Sequence, residues 1–468
     1  MPPERTVDVV RLVESHENRR FWLTLVAVSF TVTFLEGFDF QILAFAGPSI
    51  QHELGLNDAQ LGSIGSIGIL GMVLGGFCFG YLADRIGRRP SLVIVIFGAG
   101  ISTLAFTLAS DYVHLAALRL ISGMFLGGTL PLIWTLSTEF APARRKATTV
   151  ATTMVGYTLG IAAGGPVCNL LLRDHGWRSI FFVGGLATLI VLIPVVAFLP
   201  ESVKFLAHRG GRDAQISAIL AKVSPGRTLP EGTLFVVEEQ STEGGFTPAK
   251  LFRGRLAVIT PLLWICYFCS AITVYFLTFW TPTINERMGF SPASAANIAA
   301  VAALCGGTAQ MVVGRFIDQK GAIAAAWMPL LALPFLLLIG LGSLAPAMYV
   351  VALISSKMLL NGGHGGINSM TGIFYPTQIR ANGAGWASSV SRLGGMAGPG
   401  LAGVLLGLGV DPMHLFASLA VFPAVMIVLL FLLWKAQRSL PPGAEGALSA
   451  GRPRSAADGR PVPESRVP

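Results

Sequence analysis

Charge is what this sequence has least of. Only 12% of its 468 residues are Asp, Glu, Lys or Arg, 53% are hydrophobic and mean hydropathy is +0.66. Soluble globules carry roughly 25% charge, so an ordinary soluble domain is excluded and most of the chain must face lipid or other helices. Cysteine is scarce too. Cys78, Cys168, Cys266, Cys269 and Cys305 all fall within apolar runs. Cys266 and Cys269 have CxxC spacing, but with no second pair and no nearby histidine they read as helix packing. There is no Gly-x4-Gly-Lys-Ser/Thr loop, which argues against ATP drive. No nucleophile–base constellation or metal-ligand cluster stands out, so the chain reads as no enzyme, with no cofactor and no metal. A cleavable leader is not expected, because the first twenty residues are polar and the first apolar run is too long for one.

What the sequence has instead is a series of apolar runs, each near the ~20 residues that cross a bilayer. About twelve can be counted. Six lie near 21–46, 59–83, 90–110, 113–140, 147–172 and 178–200, and six near 256–285, 293–317, 323–344, 347–376, 381–408 and 412–436. The net charge of +9 does not point to nucleic acid, because the basic residues gather in loops of one parity. Arg85, Arg88, Arg89, Arg144, Arg145, Lys146, Arg315, Lys320, Arg380, Lys435 and Arg438 share one side, while Glu53, Asp58, Asp111, Glu286 and Asp411 share the other, with only Arg173, Arg178 and Arg287 as basic residues there. That asymmetry predicts an all-α integral membrane protein with both termini cytoplasmic. The expected organisation is a cytoplasmic lead (1–20), a six-helix bundle (21–200), a cytoplasmic linker (201–252), a second six-helix bundle (253–437) and a disordered tail (438–468). A short amphipathic helix is expected in the linker around Asp213–Lys222.

The halves echo one another. Gly80, Asp84 and Gly87 recur as Gly314, Asp318 and Gly321, and Gly165-Pro166 recurs as Gly398-Pro399. Arg119-x3-Gly-x3-Gly-Gly has a counterpart in Lys357-x3-Asn-x3-Gly-Gly. Repeats at matching places argue for duplicated, pseudo-symmetric bundles. The stretch Gly80-Tyr-Leu-Ala-Asp84-Arg85-Ile-Gly87-Arg88-Arg89 resembles the signature loop between spans two and three of the major facilitator superfamily. The resemblance implies the major facilitator fold, with twelve transmembrane helices in two six-helix bundles. It also implies that the charges of this loop latch one conformation. The gating set expected on that basis is Gly80, Asp84, Arg85, Gly87, Arg88, Glu139 and Arg144.

Ionisable residues inside spans are costly unless paired or facing water, so they mark function. Glu36 and Asp39 sit at i,i+3 on one face of the first span, where two close carboxylates favour holding a proton. Proton coupling and simple helix tethering both fit that pair. Arg119 lies about 9 Å into the fourth span, level with Asp39, and either pairs with it or snorkels to the headgroups. Arg392 and Lys357 fall near mid-membrane. The guanidinium fork of Arg392 suits a carboxylate, the alternative being a tether to backbone carbonyls. His364, flanked by glycines, is placed either to touch a ring substituent or relay a proton, or to be a buried hydrogen-bonded histidine. Trp134, Trp264, Tyr267 and Tyr275 are candidates to stack on a flat ring.

Phe34-Leu-Glu36-Gly37-Phe38-Asp39 resembles the acidic-Gly-aromatic-Asp motif of the aromatic acid:proton symporters. The resemblance extends through Arg119-Leu-Ile-Ser-Gly123, Tyr375-Pro376-Thr-Gln-Ile-Arg380 and Ser391-Arg392-Leu-Gly394-Gly395. It implies a bacterial inner-membrane carrier that imports a small aromatic carboxylate of benzoate, hydroxybenzoate or phenylpropionate type with H+, acting as a monomer in the lipid bilayer. Glu36 and Asp39 would couple to the proton, while Arg119, Lys357, His364 and Arg392 would bind substrate. The group would usually place Asp at Glu36 and Gln at His364. The rival within the same fold is an exporter or a carrier of another organic anion or drug. Efflux antiporters usually carry Gly-Pro-x-x-Gly-Gly in the fifth span, whereas here Gly165-Pro166 is followed by Val167-Cys168-Asn169-Leu170.

Overall fold

Residues with strong capping chemistry punctuate the apolar runs and set where helices begin. Asn57 and Gln60 form a reciprocal capping box at the start of one helix, which satisfies two donors that a helix end leaves unpaired. At the next outer turn Asp111 accepts from the His114 backbone N–H at 3.0 Å. That hydrogen bond holds its carboxyl below the usual range. A computed structural model describes residues 6–225, 233–237, 248–320, 322–342 and 344–438.

Among the described residues, nine helices are long and apolar enough to cross a membrane. They are α1 (Arg19–Leu54), α2 (Asp58–Ile86), α3 (Arg88–Leu108), α4 (Tyr112–Glu139), α5 (Ala143–Leu172), α6 (Asp174–Phe198), α7 (Leu256–Arg287), α8 (Pro292–Val313) and α12 (Pro412–Ala436). Three more occupy the other expected positions: α9 (Ala322–Gly340), α10 (Pro346–Phe374) and α11 (Thr377–Gly407). The last two are 29 and 31 residues long. Their glycine, serine, asparagine and basic residues lower their hydropathy, as befits helices that line polar space.

The first bundle closes through very near helix contacts. A Cβ on Gly160 would strike the Phe34 carbonyl, and one on Gly37 the Tyr157 carbonyl, so α1 and α5 touch backbone to backbone in the small-residue mode of membrane helices. The two bundles meet along α2 against α11 and α5 against α8. These two seams use repeat-related residues. A Cβ on Gly165 would meet Ala296 and Ala300, and one on Gly62 would meet the Pro399 carbonyl and Gly403. Gly165-Pro166 and Gly398-Pro399 therefore recur because each helps form one of two pseudo-equivalent seams. The second copy of the signature ends at Gly321, which lies outside the described residues, as does the expected tail beyond Arg438.

The cytoplasmic lead and linker are more structured than a polar composition predicts. Thr6–Asp8 pairs in parallel with Leu234–Val236, with Thr6 opposite Leu234. The short helix Val9–Glu14 buries Val9, Leu12 and Val13 against Val203, Leu206, Ile216, Leu220 and Phe235. The expected amphipathic helix is present as Asp213–Val223 and buries Ile216, Leu220 and Val223. His16 bonds the Phe140 carbonyl through Nε2 at 2.9 Å, and Glu14 and Glu17 pair with Lys146 and Arg144. Together these elements form a cap on the signature-loop end of the first bundle.

Candidate functional site

A cavity of about 500 Å3 lies between the bundles. Leu130, Pro131 and Trp134 of α4 and Met154 of α5 line it near the end that carries the signature loop, and Gln310 of α8 and Asn368 of α10 face them. At the opposite end the bundles are shut. There Asn169 Nδ2 donates to the Ala293 carbonyl and to Asn297 Oδ1 (3.1 and 2.8 Å), and Gln41 Nε2 donates to the Thr278 carbonyl at 3.0 Å. The cavity is thus closed at the end opposite the signature loop.

Three of the predicted basic residues reach this cavity: Lys357, His364 and Arg392. Lys357 is 2% exposed, and its ammonium has no partner among the described residues. Arg392 crosses from α11 to α2, where its Nη1 donates to the Met72 carbonyl at 2.9 Å. Gly76 makes that crossing possible, since a Cβ there would lie 3.1 Å from Nη1. Apolar ring surface completes the wall. Phe40 packs against Tyr157 and edge-on against Tyr275, with centroids 6.4 and 6.0 Å apart, and Trp134 stands below them.

The acids and Arg119 sit elsewhere. Glu36 and Asp39 are 5% and 3% exposed and face a narrow space between α1, α3, α4 and α6, with Thr129 and Thr188. Thr103 donates to Asp39 Oδ2 at 2.6 Å. Neither carboxylate oxygen of Glu36 has a hydrogen-bond partner among the described residues, and such a group is expensive to hold as an anion. The charged groups that act on Glu36 are Asp39 and, from the other bundle, Arg392. Arg119 packs over Gly68 and donates from Nη2 to the Phe40 carbonyl at 3.2 Å. It interacts with Asp39 electrostatically without forming an ion pair. The structure does not bring Arg119 to the central cavity; it lines a small separate space beside Gln41 and Tyr275. Of the four aromatic candidates, Trp134 and Tyr275 line the cavity. Trp264 instead stacks on Trp386, and Tyr267 donates to the Asn368 carbonyl. Phe40, Tyr157, Gln310, Asn361, Asn368 and Ser391 are cavity residues that the sequence reading missed. All but Phe40 carry a signal, each being a polar group inside an apolar span.

The sequence profile of the Major Facilitator Superfamily matches residues 29–399. The chain belongs to that superfamily. Among curated relatives, a gallate transporter of Pseudomonas putida is 32% identical over 436 residues, covering 92% of this chain and 96% of that one. A 4-hydroxybenzoate transporter, PcaK, of Pseudomonas aeruginosa is 31% identical, covering 91% and 95%. Among solved structures, the inward open conformation of the xylose transporter XylE from E. coli superposes with a TM-score of 0.69 at 16% identity, covering 88% and 96%. That likeness carries the fold alone.

In this facilitator the signature loop turns at Gly87, whose φ of +111° disfavours a side chain. A Cβ there would also collide with the Glu201 carboxylate, which accepts from the backbone N–H groups of Arg88 and Arg89 at 2.9 and 3.2 Å. Gly80 has open space around it. Asp84 pairs with Arg88 at 3.4 Å, while Arg85 lies over the Tyr81 ring. Glu139 lies within electrostatic reach of Arg88, Lys204 and Glu201. Asp84 is 76% exposed.

The outer face is closed partly by an ion pair between the bundles. Arg287 grips Asp58 with both terminal nitrogens, Nη1 to Oδ2 at 3.0 Å, and Gln51 donates to the same carboxylate at 2.8 Å. Exposed pairs contribute up to about 1 kcal/mol. Asp58→Asn should therefore shift the ratio of outward-open to inward-open carrier about fivefold toward outward-open. The measure is the rate at which an impermeant thiol reagent labels Ser66→Cys, a site where the α2 hydroxyl donates to the Met396 carbonyl across the seam. An unchanged rate would remove the ion pair from the gate.

Proposed function

We propose that this facilitator imports a small aromatic carboxylate together with a proton by alternating access. The observation that carries the reading is the central cavity: a space lined by aromatic rings and by both Lys357 and Arg392. Its size fits one aromatic ring, and its two cations fit one carboxylate. The relatives, named as carriers of gallate and 4-hydroxybenzoate, support the same substrate class. Glu36 supplies the proton side of the cycle: an unpartnered buried carboxylate favours its neutral form, and Arg392 is the cation that it shares with the substrate. When the anion takes Arg392, Glu36 loses its counter-charge and keeps its proton. When the anion leaves, Arg392 again favours ionised Glu36 and the proton is released. Each bundle then rocks about the loaded site. Asp84, Arg88, Glu139 and the turn at Gly87 make and break the cytoplasmic gate, while Arg144 ties the cap to the bundle. One chain encloses the cavity, which supports a working monomer, and the excess of basic residues in loops of one parity supports cytoplasmic termini in the inner membrane.

Uptake of labelled 4-hydroxybenzoate into inverted and right-side-out vesicles, with and without a proton gradient, tests the proposal. Accumulation that follows the gradient and collapses with a protonophore is expected. Gradient-independent uptake would remove symport, and gradient-driven extrusion from the cytoplasmic side would make the protein an exporter.

A further inference from the structure

Beside the two cavity cations, Ser270 and His364 form a hydrogen-bonded pair. Ser270, on α7, is 2% exposed, and its hydroxyl lies 2.9 Å from Nδ1 of His364 on α10. The hydroxyl makes no other hydrogen bond among the described residues, not even to a carbonyl of its own helix. If Nδ1 carried the proton and donated it to Oγ, the hydroxyl hydrogen would be left in the interior without an acceptor, a costly arrangement. If the hydroxyl donates to Nδ1, every group is satisfied and the imidazole proton is placed on Nε2. His364 lines the cavity, and its Nε2 has no partner among the described residues and is not buried as an orphan. The cavity therefore holds one N–H donor aimed at a ligand.

Lys357 and His364 are seven residues apart on one helix, hence on one face and about 10 Å apart along its axis. That span suits a single ring with a carboxylate at one end, an oxygen substituent toward the other, and a hydrogen bond at each. We propose that Ser270 is a positioning residue that fixes His364 as an Nε2–H donor, and that this pair selects aromatic carboxylates bearing a ring oxygen over unsubstituted ones. The inference rests on the aromatic-acid reading above and adds the ring substituent to it. Lys357 and Arg392 hold the carboxylate; the histidine reads the far side of the ring.

The test compares uptake of labelled benzoate with 3- and 4-hydroxybenzoate in the full-length carrier and four variants. The wild type should prefer a hydroxylated acid. In Ser270→Ala that preference, as a ratio of kcat/KM values, should fall about tenfold, because a site built to bond a hydroxyl discriminates by that bond. Benzoate uptake itself should stay near wild type. Ser270→Thr keeps the hydroxyl and should keep the preference. In His364→Gln, whose amide donates without help, a second change of Ser270→Ala should leave the ratio unmoved, the signature of two residues acting through one another. A ratio unaffected by Ser270→Ala, a parallel loss of both substrates, or a wild type indifferent to the hydroxyl would each overturn the proposal. A wild type that carries neither benzoate nor the hydroxybenzoates would instead sink the aromatic-acid reading, and this inference with it.

Discussion

Glu36→Gln should abolish uphill accumulation of 4-hydroxybenzoate while leaving exchange of internal for external substrate. The amide copies the protonated acid in shape and neutrality, so the loaded carrier can still change conformation. It cannot ionise, so the empty carrier no longer exports charge compensation in step with the gradient. Glu36 is the sharper choice over its neighbour because its oxygens have no partner, whereas Asp39 accepts from Thr103 and lies near Arg119. Asp39→Asn should also impair accumulation, but with damage to the packing of α1 against α3 and α4 added. Counterflow assays separate the two effects, since they need substrate binding and conformational change but no net proton movement. Normal gradient-driven accumulation by Glu36→Gln would remove the carboxylate from the coupling step.

Arg392→Lys is expected to raise the KM for the aromatic acid by about tenfold to a hundredfold, measured in exchange so that coupling plays no part. Losing one charge-assisted hydrogen bond costs about 1.5–3 kcal/mol, which is about that range in affinity. The guanidinium is asked to do two things at once, because it already donates to the Met72 carbonyl across the bundle interface. A lysine ammonium lacks the planar fork that would serve a carbonyl and a carboxylate together. An unchanged KM would shift the anion site to Lys357 alone, which the companion variant Lys357→Met would then reveal.

The helices and their turns were legible in the sequence because each rests on local signals: an apolar run, a capping residue, or a glycine where φ is positive. Asn57 with Gln60 and the turn at Gly87 fall into that class. Cavity cations were legible for a different reason, since a basic residue inside an apolar span has few places to go. What the sequence could not carry was which charge faces which. Glu36 and Arg392 come within electrostatic reach of one another only through the packing of two bundles that are distant in sequence, and Arg119 turned to a backbone carbonyl rather than to an ion pair with Asp39. The ring wall was equally hidden. Phe40 and Tyr157 lie in runs whose aromatics serve helix packing as readily as a ligand. The strands Thr6–Asp8 and Leu234–Val236 are too short to show alternation, and their pairing is set by the helices that hold them.

The cytoplasmic cap bears on how the protein can be handled. The amino end enters a strand, while Glu14, His16 and Glu17 anchor it beside the fourth and fifth helices. An affinity tag or fluorescent fusion placed ahead of Thr6 would have to leave room for that edge, and deleting the first eighteen residues would bare Leu206, Leu220 and Phe235 to solvent. The carboxyl end, where α12 runs out past Ala436, is the better place to attach a label.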